Sequence, residues 1–209
     1  MNAHLAESAK PTASLVLIQE IFGVNSHIRG VADDYASQGF RVIAPALFDR
    51  VQLHVELGYG PEDVAQGFGV RGRITQDSML QDVAAAISYA DRASHGGKTG
   101  VLGYCLGGTL AWLSATRLNV AVAVGYYGGR IAEHAEENPH CPVMLHFGAK
   151  DQHIPPAEID KIRRAHPDTP IFIYDAGHGF NCEQRKDYEP KSAALARQRT
   201  LEFIRQYLN

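Results

Sequence analysis

The chain has 209 residues, of which 45% are hydrophobic and 21% are charged, and its formal net charge at pH 7 is −3. This length and composition predict one globular domain over residues 1–209 with a substantial apolar core. The weak negative charge offers no attraction to nucleic acid or to an anionic membrane surface, and no apolar stretch is long enough to cross a bilayer.

Predicted strands and helices alternate along the whole chain. Short apolar runs are separated by segments in which apolar residues recur three and four positions apart, such as residues 28–35, 80–90 and 201–208. This pattern predicts an α/β fold with a mostly parallel sheet and helices on both faces. The predicted strands cover residues 15–19, 41–44, 99–103, 120–124, 143–147 and 171–174.

Residues 45–74 interrupt this alternation. The segment is rich in glycine, and only residues 61–66, which begin with a proline, predict a short helix. A long loop inside a compact domain is usually functional, and this loop follows a predicted strand at the carboxyl edge of the sheet. We therefore expect a lid whose pocket walls include Leu57, Tyr59 and Phe68.

The sequence GYCLGG at residues 103–108 lies between a predicted strand and a segment of helical periodicity, with Cys105 near its centre. Flanking glycines allow a tight turn from strand to helix, which lifts the central side chain above the sheet. At a helix N-terminus the thiol lies near the positive end of the helix dipole, which favours the nucleophilic thiolate. A buried structural cysteine in a tight turn is the alternative. We predict that Cys105 is a nucleophile.

Two polar residues follow later predicted strands. Asp151 comes after residues 143–147, and His178 comes after residues 171–174. Each alone could be an ordinary loop residue. Together with Cys105 they follow the order nucleophile, acid, histidine that α/β-hydrolases use. We predict that His178 is the base and that Asp151 orients it.

These motifs, together with QEIFGVN at residues 19–25 and GYYG at residues 125–128, resemble those of the dienelactone hydrolase family over nearly the whole chain. The resemblance implies an α/β-hydrolase fold and a catalytic triad of Cys105, His178 and Asp151. It implies hydrolysis of a small ester or lactone through an acyl-thiol intermediate, as a carboxymethylenebutenolidase-like enzyme.

The resemblance also assigns further residues. It implies that Glu20 contacts the resting thiol and that the backbone N–H groups of Ile21 and Leu106 form the oxyanion hole. It makes residues 2–10 the remnant of a shortened N-terminal hairpin. Independently of the resemblance, Glu20 ends a predicted strand, and a second acid near the thiol would oppose the thiolate that His178 promotes. A solvated loop glutamate is the alternative.

The substrate pocket departs from the family pattern. Family members that open dienelactone hold its carboxylate with arginines, one of them shortly after the catalytic histidine, where this chain has an arginine only further on, at Arg185. Phe68 matches an aromatic pocket position, and Tyr127 is a further candidate, but Arg71 and Arg73 do not fall where the other arginine is expected. We therefore expect a less charged ester, thioester or lactone as the substrate.

The cysteine content limits location and cofactors. Cys105, Cys141 and Cys182 are an odd number without a Cys-x-x-Cys pair, which argues against disulfides and zinc and favours a reducing compartment. The N-terminus has no secretory signal. We expect a cytoplasmic monomer or homodimer without metal or cofactor. Two other functions are compatible with the fold: a redox-active, peroxide-sensing thiol protein and a non-catalytic ligand binder.

Overall fold

The computed structural model describes residues 2–94 and 97–208, and its seven strands form a single sheet. The strands are β1 (Ala3–Glu7), β2 (Ala13–Ile18), β3 (Phe40–Pro45), β4 (Thr99–Tyr104), β5 (Val122–Tyr126), β6 (Val143–Gly148) and β7 (Ile171–Tyr174). Their order in the sheet is β1-β3-β2-β4-β5-β6-β7. Strand β1 is antiparallel to β3, and the other neighbouring pairs are parallel.

Helices cover both faces of this sheet, so the predicted α/β architecture is confirmed. The helices are α1 (Ser26–Ser37), α2 (Pro61–Arg71), α3 (Gln76–Ala93), α4 (Leu106–Arg117), α5 (Pro156–Ala165) and α6 (Pro190–Leu208), with 3₁₀ turns at Leu47–Arg50 and Ile131–His134. Strands β2, β4, β5 and β6 are buried along their whole length. This is why they appear in the sequence as continuous apolar runs rather than as alternating ones.

The N-terminal part of the fold is a single antiparallel strand. In the described part of the chain no second strand pairs with the outer edge of β1. This arrangement agrees with the shortened N-terminal hairpin that the sequence predicts.

Several predicted boundaries differ from the observed ones by one or more residues. Strand β5 begins at Val122 rather than at residue 120. Just before it, a single hydrogen bond of 2.9 Å from Ala121 N to the Thr99 carbonyl joins the chain to the sheet. Helix α2 extends to Arg71 rather than ending at residue 66, although it contains Gly67. A Cβ atom at Gly67 would lie 2.7 Å from the Ile21 carbonyl oxygen, so close packing of the helix requires this glycine despite its low helix propensity.

The parallel strands bring four polar residues to one edge of the sheet. Glu20 follows β2, Cys105 follows β4, Asp151 follows β6 and His178 follows β7. Because the carboxyl ends of parallel strands share an edge, the topology alone groups these side chains. In residues 2–94 and 97–208 no helix is long and apolar enough to span a membrane.

Candidate active site

Cys105 lies at the apex of a sharp turn between β4 and α4. Its φ of 54° and ψ of −114° are in a region that L-amino acids rarely adopt. A Cβ atom at Gly103 would lie 1.9 Å from the Gly107 carbonyl oxygen, and one at Gly107 would lie 2.3 Å from the Ile18 carbonyl oxygen. Only glycine fits at these two positions, so the sequence of this turn is set by its packing.

Backbone hydrogen bonds hold the strained turn in place. The Cys105 N–H donates to the Tyr126 carbonyl at 2.9 Å, and the Cys105 carbonyl accepts from Gly108 N at 2.9 Å. The first bond ties the turn to the end of β5, and the second begins α4. Strain of this kind costs about 1–3 kcal/mol and persists only where the surroundings enforce it.

His178 is hydrogen-bonded to Asp151. The distance from His178 Nδ1 to Asp151 Oδ2 is 2.7 Å, and the Asp151 side chain is completely buried. The other carboxylate oxygen of Asp151 accepts a hydrogen bond of 2.8 Å from the backbone N–H of His153. Asp151 therefore fixes the imidazole with Nδ1 as the donor and leaves Nε2 for the thiol.

The charge state of His178 reflects its neighbours. Burial opposes the imidazolium, but a negative charge on the Cys105 sulfur and the hydrogen bonds of His178 outweigh it and raise the pKa of His178 to about 10. An imidazolium at His178 and a thiolate at Cys105 would therefore stabilise each other. Such a pair is the reactive form of a cysteine nucleophile.

The backbone N–H groups of Ile21 and Leu106 are suited to an oxyanion hole. Both residues line the same cavity as Cys105. Within the described residues neither N–H group has a hydrogen-bond acceptor, and Leu106 is the first residue of α4, where amides have no partner in the helix. Two free donors, one of them at a helix N-terminus, can stabilise a developing oxyanion.

Glu20 is completely buried, and both of its carboxylate oxygens have partners. Oε1 lies 3.1 Å from Arg185 Nη1, and Oε2 accepts a hydrogen bond of 3.1 Å from the Tyr59 hydroxyl. Arg185 and Tyr59 hold the carboxylate, and no hydrogen bond joins it to the Cys105 thiol among the described residues, so the predicted contact of Glu20 with the resting thiol stays a prediction. The alternative of a solvated loop glutamate is wrong.

A cavity of about 670 Å³ opens above Cys105 and His178. Apolar side chains of Ile21, Phe22 and Leu106 line its floor, and α2 contributes one wall through Val64, Phe68 and Arg71. The cations that line it outnumber the acids: Arg71, Arg130, Lys150, Arg185 and Lys186 accompany Asp187. Three of these cations are paired with carboxylates: Arg130 with Glu133, Lys150 with Asp175 and Arg185 with Glu20.

Several pocket predictions were wrong in position. Tyr127 is fully buried beside His178 rather than on the cavity wall, and Leu57 is buried in the core. Tyr59 lies against Glu20, and Arg73 donates to Gln52 outside the cavity. Phe68 and Arg71 do line the cavity. Both residues lie in the part of α2 beyond its predicted end, and Phe68 remains 59% exposed at the cavity.

Arg185 lines the cavity although it lies seven residues after His178 in the sequence. Its guanidinium lies 5.8 Å from the Phe22 ring centroid and 5.7 Å from that of Tyr59. A Cβ atom at Gly179 would lie 2.6 Å from it, so a glycine with φ of 77° makes room for the side chain. An arginine is therefore present at the cavity although none directly follows His178 in the sequence. The sequence signal that could have revealed the position of Arg185 is Gly179 followed by an arginine within the same loop.

Comparison with known proteins agrees with this geometry. The model of the dienelactone hydrolase family matches residues 1–208. This chain belongs to that family.

Relatives and solved structures extend the comparison. The chain is 32% identical over 204 residues to the carboxymethylenebutenolidases of Pseudomonas putida and Pseudomonas knackmussii, covering 93% of this chain and 86% of each relative. A crystal structure from Klebsiella pneumoniae, provisionally named a dienelactone hydrolase, has a TM-score of 0.85 at 27% identity and covers 98% of this chain and 92% of that one. A dienelactone hydrolase-like phosphotriesterase from metagenomic libraries, at 19% identity and a TM-score of 0.73, covers 100% of this chain and 99% of that one and shares the fold. As a family member, the chain is an ester or lactone hydrolase.

One buried group of this family member has the residue types of a metal site. Glu20, His27 and Cys182 place one potential ligand atom each within 4.8 Å of one another. The guanidinium of Arg185 already neutralises Glu20 and would repel a cation. Burial also raises the pKa of the Cys182 thiol to about 12, so the ligating thiolate is disfavoured. The ion pair of Glu20 with Arg185 and the raised pKa of Cys182 therefore disfavour a cation at this group.

Proposed function

We propose that the protein is a cysteine-dependent hydrolase of small esters or lactones that works through an acyl-thiol intermediate. In this proposal Cys105 is the nucleophile, His178 is the general acid and base, and Asp151 orients His178. The observation that carries it is the 2.7 Å hydrogen bond between His178 and Asp151, together with the strained backbone that presents Cys105 to the same cavity as His178. The carboxymethylenebutenolidase relatives support the same reaction class.

The chemistry follows from these positions. The Cys105 sulfur attacks the carbonyl carbon, and the N–H groups of Ile21 and Leu106 stabilise the oxyanion that forms. His178 then gives its proton to the leaving oxygen, and in the second half-reaction it takes a proton from the attacking water. Asp151 stays ionised and keeps Nδ1 protonated throughout.

The substrate class includes carboxylated lactones. A substrate carboxylate entering the cavity would meet Arg185 at its base and Arg71 on its wall. Arg71 has no carboxylate partner among the described residues, and burial followed by the charge of Arg130 lowers the pKa of Arg71. An anion near Arg71 would favour the charged guanidinium and so offset the lowering of its pKa by burial and by Arg130. A lactone of the dienelactone type therefore suits this pocket as well as a neutral ester does.

Residues 45–74 serve as one wall of the site in this proposal, because α2 supplies Val64, Phe68 and Arg71 to the cavity. We propose a single domain for the whole chain. The three free cysteines support a reducing cytoplasmic location.

Trapping the intermediate tests the proposal. An activated ester mixed with the wild-type protein and quenched in acid is expected to leave one acyl group on the peptide that contains Cys105, with an initial burst of product. Cys105→Ala should give neither the adduct nor turnover, a loss of about 10³-fold or more. Turnover that persists in Cys105→Ala would contradict the proposal.

Cys141→Ala is the matched control for this experiment. Burial raises the pKa of the Cys141 thiol to about 11, and the residue precedes β6 at the opposite edge of the sheet. Its replacement removes one thiol without touching the site, so the burst should remain. Oxidation of Cys105 by peroxide without any ester turnover would favour the redox-active alternative instead.

A further inference from the structure

Gln76 is a polar residue of the cavity wall that the proposed chemistry does not use. It is the first residue of α3, it is half-buried, and it lines the cavity together with Arg71 and Arg130. The helix does not need this side chain as a cap, because Thr75 is the N-cap residue and its Oγ1 accepts a hydrogen bond of 3.1 Å from Ser78 N. The amide of Gln76 is therefore available for another contact.

His134 holds this amide from outside the cavity. The distance from Gln76 Nε2 to His134 Nε2 is 3.2 Å, and His134 is not among the described residues that line the cavity. The other ring nitrogen, Nδ1, lies 2.9 Å from Glu137 Oε1. The His134 carbonyl accepts a hydrogen bond of 3.2 Å from Trp112 Nε1. Both its ring and its backbone thus fix His134 beside the start of α3.

Glu137 determines which nitrogen of His134 carries the proton. Arg117 donates two hydrogen bonds to Glu137, of 2.8 Å from Nε and 2.6 Å from Nη2, and this pairing lowers the pKa of Glu137 to about 2. The carboxylate can only accept, so its contact with His134 requires the proton on Nδ1. Arg117 Nη2 also lies near Nδ1, but at 3.5 Å, and the shorter contact with the carboxylate prevails.

The tautomer of His134 in turn fixes the orientation of the Gln76 amide. With the proton on Nδ1, Nε2 of the neutral imidazole is an acceptor, so only the NH₂ group of Gln76 can donate to it. The amide oxygen Oε1 then points away from His134. Among the described residues Oε1 has no hydrogen-bond donor, and it is not one of their fully buried unpaired atoms, so it is open to solvent.

We propose that Gln76 is a specificity-determining residue, whose amide oxygen accepts a hydrogen bond from a hydroxyl group of the substrate, and that His134 is the residue that positions it. The neighbouring Arg71 and Arg130 can only donate, so Gln76 adds an acceptor to this wall. The substrate class narrows to esters or lactones that carry a hydroxyl group besides the reacting carbonyl. This inference rests on the proposed function, because it concerns the substrate of the same site.

Pairs of activated esters test the inference. Each pair is the p-nitrophenyl ester of a meta- or para-hydroxyphenylacetic or hydroxyphenylpropanoic acid and its methoxy counterpart, because the ether can accept a hydrogen bond but cannot donate one. The assays are run at pH 8, where imidazole side chains are ordinarily neutral. In the wild type, kcat/KM for at least one hydroxyl ester should exceed that of its methoxy partner, and in Gln76→Met this ratio should fall about three- to tenfold.

His134→Phe tests the positioning role, since it keeps a ring beside α3 but removes the acceptor for the amide. Its ratio of hydroxyl to methoxy ester should fall in the same direction, while kcat/KM for the methoxy esters stays close to the wild-type value. A general loss of activity on both esters of each pair, with an unchanged ratio, would contradict this role.

Gln152→Met is the matched control, because Gln152 also lines the cavity but its side chain has no hydrogen bond among the described residues. Its ratio should equal that of the wild type. An unchanged ratio in Gln76→Met, or an equal fall in Gln152→Met, overturns the inference. Failure of the proposed function is distinguishable, because it would appear as ester turnover by Cys105→Ala.

Discussion

The guanidinium of Arg185 and the carboxylate of Glu20 lie 3.1 Å apart beneath the substrate cavity, although 165 positions separate them in the chain. The Glu20 side chain is fully buried, and that of Arg185 is only 16% exposed. Burial lowers the pKa of Arg185, but the charge of Glu20, with smaller contributions from other neighbouring groups, outweighs this effect, so the pKa of Arg185 is raised. Arg185 lines the cavity as well, so a substrate anion and Glu20 would share one guanidinium.

Removal of Arg185 is expected to reduce the preference for carboxylated substrates. In Arg185→Gln, kcat/KM for cis-dienelactone should fall by about one to two decades relative to that for a neutral butenolide, because a charge-assisted contact worth about 1.5–3 kcal/mol is lost. Arg73→Gln is the control, since Arg73 lies outside the cavity. An unchanged ratio of the two kcat/KM values in Arg185→Gln would assign carboxylate recognition to another cation.

The ion pair of Glu20 and Arg185 predicts that substitutions at the two positions are not additive in their effect on stability. Arg185→Met leaves the buried Glu20 charge unpaired and should lower the free energy of unfolding by about 3–5 kcal/mol. The double variant Glu20→Gln with Arg185→Met removes both charges and should recover most of this loss. Urea denaturation of the two single variants and the double variant gives the three values. Additive losses would show that the two charges are not coupled.

The position of the proposed triad could be predicted because each of its residues follows a buried strand. Apolar runs locate strands, and parallel strands end at one edge, so Cys105, Asp151 and His178 are grouped by topology before any side chain is considered. The glycines around Cys105 carry the same information locally, because their packing leaves no room for a Cβ atom.

The pocket walls could not be predicted in this way. Gly67 lowers the local helix propensity of α2, so the sequence does not indicate the full length of this helix. The glycine is needed because the helix packs closely against Ile21. Arg185 reaches Glu20 only because Gly179 turns the loop, and the position of a long flexible side chain does not follow from sequence spacing. Tyr127 belongs to a recognisable motif, but only packing shows that it lies under His178.

Relief of the backbone strain at Cys105 should raise the free energy of unfolding. Cys105→Gly is expected to be about 1 kcal/mol more stable than Cys105→Ala, because both lack the thiol but only glycine adopts φ of 54° and ψ of −114° without steric cost. Thermal and urea unfolding of the two inactive variants measure the difference. Equal stabilities would mean that the turn relaxes when the thiol is removed.

The raised pKa of His178 predicts how stability changes with pH. The pKa is about 10 in the folded protein and 6.5 for an unperturbed histidine, so the folded state binds the proton more tightly. The resulting stabilisation is complete below pH 6.5, declines as the pH rises, and is lost above pH 10.

His178→Gln, which keeps a donor for Asp151, should show a flatter decline in the free energy of unfolding across this window. Urea titrations at several pH values measure the two profiles, and the difference between them cancels the titration of other groups. His153→Gln, which replaces the exposed neighbouring histidine, should retain the wild-type slope. Parallel profiles for the wild type and His178→Gln would mean that His178 does not hold an extra proton in the folded state.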